Sequence, residues 1–101
     1  KKLLKIPEIK HLTNLITLYI CNTSIENIDI PDNVVCIEIN NNKINQLNIG
    51  QDSNLVELKC SNNKLANVLY VPRKVKILHC SNNRLKKLVF YSDENIEEIY
   101  C

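Results

Sequence analysis

The residues that could do chemistry in this chain are five cysteines, two histidines, scattered carboxylates and one loose group of basic side chains. Cys60, Cys80 and Cys101 recur at nearly even intervals, which suggests either a metal site or disulfide pairing. A structural zinc needs four converging ligands in a closed tetrahedron. His79 is next to Cys80 in the chain, and on an extended strand neighbouring side chains point to opposite faces, so this histidine cannot join the cysteine column. His11 has no evident partner. A histidine acting as base needs a nucleophile within hydrogen-bond reach, and His79 is expected on an outer face between Lys59 and Tyr100. Glu97 and Glu98 are consecutive and diverge, whereas paired acid–base carboxylates must converge on one site. These readings lead to no catalytic residue, no cofactor and no metal.

The basic residues Arg73, Lys74, Lys76, Arg84, Lys86 and Lys87 are split between different local patterns, and they read as a solvated rim. The net charge is only +2, too small to argue for a polyanionic partner, and aromatic residues for base stacking are nearly absent. No apolar run approaches the roughly 20 residues that a membrane-spanning helix needs. Neither nucleic acid nor membrane is expected as a partner.

The elements that would position these groups come from an internal repeat. Segments 15–25, 34–44, 55–65 and 75–85 align, and a fifth begins at Ile96 and stops at Cys101. The starts at Leu15, Val34, Leu55, Val75 and Ile96 are almost evenly spaced. Each segment follows L-x-x-L-x-L-x-x-N-x-L, with Ile, Val or Cys standing in for Leu. The x-L-x-L portion alternates and predicts a short strand with one buried face. Stacking successive coils in parallel, about 4.8 Å apart, builds the core that one coil cannot build alone. In that register Cys60, Cys80 and Cys101 point inward below Ile20 and Ile39, as small buried hydrophobes. A disulfide between neighbours there would be strained, so the column reads as unpaired. Cys21 and Cys36 also read as unpaired, which favours a reducing, intracellular compartment.

Thr23, Asn42, Asn63 and Asn83 sit where the chain leaves each strand. A side-chain amide both donates and accepts, so it can satisfy buried main-chain groups of its own and the adjacent coil. Thr23 has only a hydroxyl, so the first coil should be the looser one. Further along, Ile28, Leu47, Val68 and Leu88, then Ile30, Ile49, Tyr70 and Phe90, are expected to line the core of the returning limb. Pro31 and Pro72 follow at the turn. That limb is too short for a regular helix plus two turns, so extended or 3₁₀ structure is expected.

This pattern resembles the leucine-rich repeats, with the Pro31 and Pro72 coils similar to the short repeats of bacterial effector proteins and the Leu12–Leu18 stretch similar to internalin-type repeats. The resemblance implies an α/β-class, mostly β right-handed superhelix. A parallel sheet of about five short strands would form the concave face. The expected organisation is a partial repeat 1–14, repeats 15–33, 34–54, 55–74 and 75–95, and a truncated repeat 96–101. The chain begins Lys1-Lys2-Leu3 without methionine and stops within a hydrophobic pattern, so the expectation is a segment of a longer protein. Its apolar ends are expected to stack on other chains or within a larger assembly.

The register places Thr17, Tyr19, Glu38, Glu57, Lys59, Ile77, His79 and Tyr100 outward on the concave face. The resemblance implies a non-catalytic module that binds another protein there. Two alternatives stand beside it: a structural stretch of solenoid in an envelope or virus particle, or the substrate-recognition part of an effector whose ubiquitin-ligase domain lies outside these residues.

Overall fold

A computed structural model describes residues 16–101; the partial repeat 1–14, the internalin-like stretch, His11 and Leu15 lie outside the described residues. Nine strands follow one another: β1 Thr17–Tyr19, β2 Asn27–Ile30, β3 Cys36–Glu38, β4 Gln46–Ile49, β5 Glu57–Lys59, β6 Ala66–Val71, β7 Ile77–His79, β8 Arg84–Phe90 and β9 Glu98–Tyr100. No helix occurs among the described residues. The architecture is a mostly-β solenoid of parallel sheets, without an α layer among these residues.

The odd-numbered strands form one five-stranded parallel sheet in the order β1-β3-β5-β7-β9. Leu18, Ile37, Leu58, Leu78 and Ile99 stand in one row, and Ile37, Leu58 and Leu78 are buried. Each member of this row follows its own repeat start, Leu15, Val34, Leu55, Val75 or Ile96, at the same place. The spacing of the sequence repeat is therefore the register of the sheet. Main-chain bonds just ahead of the strands repeat the same stack: Val35, Val56, Lys76 and Glu97 each donate at 2.8 Å to the carbonyl at the equivalent place one coil earlier.

The strands are short because each ends at an asparagine in the left-handed region. Asn22, Asn41, Asn62 and Asn82 have φ between 55° and 61°, a conformation that asparagine tolerates better than other residues with a Cβ. The next residue then turns inward. Asn42 and Asn63 are buried. The Nδ2 of Asn42 donates to the Ile39 carbonyl of its own coil and to the Ile20 carbonyl of the preceding one, both at 2.8 Å. Asn63 does the same with Cys60 at 3.0 Å and Ile39 at 2.9 Å, and Asn83 with Cys80 at 3.1 Å and Cys60 at 3.0 Å. Their Oδ1 atoms accept from the main-chain N–H of Thr23, Ile44 and Leu65 respectively. Thr23 uses its hydroxyl twice, donating to Asn42 at 2.6 Å and accepting from the Ile25 N–H at 3.2 Å.

The returning limbs are extended and form two separate two-stranded parallel sheets, β2-β4 and β6-β8. Turns close at Pro31, Gly50 and Pro72, whose carbonyls accept from Val34, Ser53 and Val75 at 3.1 to 3.2 Å. Ile28 and Ile30 are buried as expected, and Leu47, Ile49, Leu88 and Phe90 pack partly buried against the core. Val68 and Tyr70 are corrections: both are exposed, and Leu69 and Val71 are buried in their place. Asn67 takes φ 67°, and the register against β8 shifts between Asn67 and Val68. At that shift β8 carries the unpaired residue, Lys86. Counted from its repeat start, the third limb reaches its proline one residue later than the first, and a one-residue slip turns every following side chain to the other face.

Replacing Asn63 by alanine leaves the buried Ile44 N–H without its acceptor and takes one of two amide donors from the Ile39 and Cys60 carbonyls. We expect a loss of about 2–4 kcal/mol in urea unfolding. Asn62→Ala, which strains the left-handed turn and removes only an exposed bond from the Asn82 amide, should cost about 1 kcal/mol, and Asn62→Gly less still.

Candidate functional site

The eight residues expected on the concave face all stand on the five-stranded sheet, in two rows. Thr17, Cys36, Glu57, Ile77 and Glu98 are partners in one, and Tyr19, Glu38, Lys59, His79 and Tyr100 in the other. They share this face because each strand places its central Leu or Ile inward and its two flanking residues outward.

The rows are not uniform. At one end Tyr19 is 68% exposed and at the other Tyr100 is 58% exposed. Between them charges are partly paired. Lys59 Nζ lies 3.9 Å from Glu57 Oε1 with both side chains about one third exposed, a geometry that contributes at most about 1 kcal/mol. The Cys36 thiol donates to Glu57 at 3.4 Å. Burial first, and the Glu57 carboxylate second, push the Cys36 thiol up from its ordinary value. Cys21 first, and Glu38 after it, raise the Tyr19 phenol above its ordinary value. A depression of about 100 Å³ is lined by Thr17, Tyr19, Cys36, Glu38, Glu57 and Lys59.

At the other end the structure brings together a group that sequence reading missed. His79 Nε2 lies 2.5 Å from Glu98 Oε2, and its ring meets Tyr100 edge-on at a centroid distance of 4.8 Å. The row register already put Tyr100 beside His79; the diagonal reach to Glu98 needs side-chain geometry that a strand pattern does not carry. Glu98, His79 and Tyr100 form a small polar–aromatic cluster with no nucleophile bonded to the histidine. Among the described residues no three His, Cys, Asp or Glu side chains gather as metal ligands.

The cysteine column divides. Cys60 is fully buried and free, and burial pushes its thiol up to about 12. Cys80 and Cys101 are a correction: they are joined as a disulfide, with Cα atoms 4.7 Å apart. The parallel register that argued against a bond brings the pair inside the Cα range a disulfide spans. Cys101 is exposed rather than in the core. The basic residues do not form one patch: Lys74 donates to Asn54 at 2.7 Å, while Arg84, Lys86 and Lys87 lie on β8.

No family model, curated protein or solved structure matches the chain.

Cys60 gives a test of the packing beneath this face. Its folded thiol titrates above the unfolded one, so the folded state holds the proton longer. The stabilisation is complete below about pH 9 and is lost as pH rises from 9 toward 12. Urea midpoints measured from about pH 8 to 11 should fall for the native chain and fall less for Cys60→Val. Iodoacetamide should label Cys60 only after unfolding.

Proposed function

We propose that the chain is a segment of leucine-rich-repeat solenoid and acts as a non-catalytic module that binds another protein through its five-stranded, concave face. The repeat pattern L-x-x-L-x-L-x-x-N-x-L and the asparagine ladder at its N position support the family. The observation that carries the function is the pair of side-chain rows on that sheet. They present two largely exposed tyrosines, Tyr19 and Tyr100, at opposite ends, with Glu38, Lys59 and His79 between them. Solenoids bind partners on such extended faces, and tyrosine is enriched among the residues that carry binding energy. The Glu57–Lys59 and His79–Glu98 pairs hold side chains in place ahead of binding, which lowers the ordering cost of association. A disulfide-bonded Cys80 and Cys101 with three free thiols gives no single redox compartment.

The test is affinity purification of the protein with its neighbouring sequence, followed by mass spectrometry. It is repeated with Tyr19, Lys59 and Tyr100 changed together to alanine. All three are surface positions, so circular dichroism and the urea midpoint should stay unchanged. A specific protein recovered with the native chain and reduced at least tenfold with the triple variant is the expected result. The same protein retained in full, or recovery of this chain alone, overturns the reading in favour of a structural stretch of solenoid.

A further inference from the structure

The returning side of the solenoid is split between β4 and β6. The coils touch at the start of the limb, where the Lys64 N–H donates to the Ile44 carbonyl at 2.8 Å. They meet again after the turns, where Lys74 reaches Asn54. Between these points β4 pairs only with β2 and β6 only with β8. Every Cα of β4 is more than 8 Å from every Cα of β6, whereas paired strands lie about 4.8 Å apart. The parting coincides with the longer third limb, in which the turn at Pro72 comes seven positions after Leu65, where the turn at Gly50 comes six after Ile44.

The result is an open cavity of about 460 Å³, within the size range of ligand pockets. Its two long walls are the unpaired edges of parallel strands, and an unpaired strand edge is a template for another strand. Leu47 and Ile49 line one wall and Val68 and Tyr70 the other. Tyr70 stacks with Tyr91, centroids 6.1 Å apart, and both line the cavity. At the turn end stands Asp32, held close over Gly50; a Cβ on Gly50 would lie 2.7 Å from Asp32 Oδ1. The Asp32 carboxylate has no ion pair or hydrogen bond among the described residues, and neither lysine nor arginine lines the cavity.

We propose that the gap between β4 and β6 is a slot for an extended peptide strand carrying a basic side chain. The peptide lies parallel to both strands and its main chain pairs with their edges, the β-augmentation mode of recognition. The short β4, Gln46–Ile49, sets the paired length. Alternate apolar side chains point toward Leu47 and Val68. A lysine or arginine reaches the Asp32 carboxylate and the face of the tyrosine pair, where ion pairing and cation–π attraction act together. This slot is on the side of the solenoid opposite the five-stranded face, and the reading does not depend on what that face binds.

The probe is a short capped peptide of alternating threonine and valine with one central lysine, titrated by calorimetry into the full chain at low salt. Three partner peptides serve as controls: central glutamate, central proline, and the lysine peptide with N-methylated valines. Saturable binding of the lysine peptide is expected, at least tenfold tighter than the glutamate peptide. The proline and N-methyl peptides should not bind. Hydrogen exchange should slow at Leu47, Ile49 and Val68 and not on β5 or β7. Asp32→Asn should weaken the lysine peptide about threefold to fivefold, as expected of an exposed ion pair, without changing the circular dichroism. No saturable binding overturns the proposal. So does equal binding of the lysine and glutamate peptides, undiminished binding of the N-methyl peptide, or protection confined to the five-stranded face.

Discussion

The structure depends on how a coil that turns inward satisfies its main-chain polar groups. Every coil leaves its strand through a sharp turn, and the carbonyls and N–H groups there are cut off from water by the coils above and below. Leaving one unpaired costs on the order of 1–3 kcal/mol. Asn42, Asn63 and Asn83 meet this demand with one side chain each, donating to two carbonyls and accepting from an N–H one coil earlier. No buried side-chain nitrogen or oxygen among the described residues lacks a partner. The apolar rows supply most of the stabilisation but would tolerate sliding; the amides fix which coil residue faces which.

From that constraint the two faces follow. The left-handed asparagine before each amide keeps the strand short, so each coil offers only two outward side chains to the sheet. These two rows make up the strand part of that surface, and its chemistry is decided by the residues that happen to occupy them. On the returning side there is no equivalent amide column among the described residues. Pairing there rests on ladder bonds and one exposed side-chain bond, from Asn48 to Asp29, and β4 and β6 part.

The repeat spacing made the five-stranded sheet legible, because a strand period of two and a near-constant offset determine both the face and the row of every residue. The outward set from Thr17 to Tyr100 could be written down from the sequence for that reason. The slip in the third limb was also written there, in a different frame. Counted from its repeat start at Leu55, Pro72 comes one position later than Pro31 does from Leu15. Counting back from the prolines puts Leu69 and Val71 inside, whereas counting forward from the repeat start puts Val68 and Tyr70 there. The Cys80–Cys101 link was legible as adjacency and misjudged as strain. The His79–Glu98 contact was not legible, since it runs diagonally between rows and depends on side-chain rotamers.

The most direct measurement of the central claim is native-state hydrogen exchange of the three main-chain amides that donate to the side chains of Asn42, Asn63 and Asn83, those of Thr23, Ile44 and Leu65. The account predicts that all three exchange only when the whole chain unfolds, as slowly as the buried strand residues Ile37 and Leu58. Exchange of these amides at the rate of the exposed turn residues Gln51 and Asp52, with the strands still protected, would contradict it.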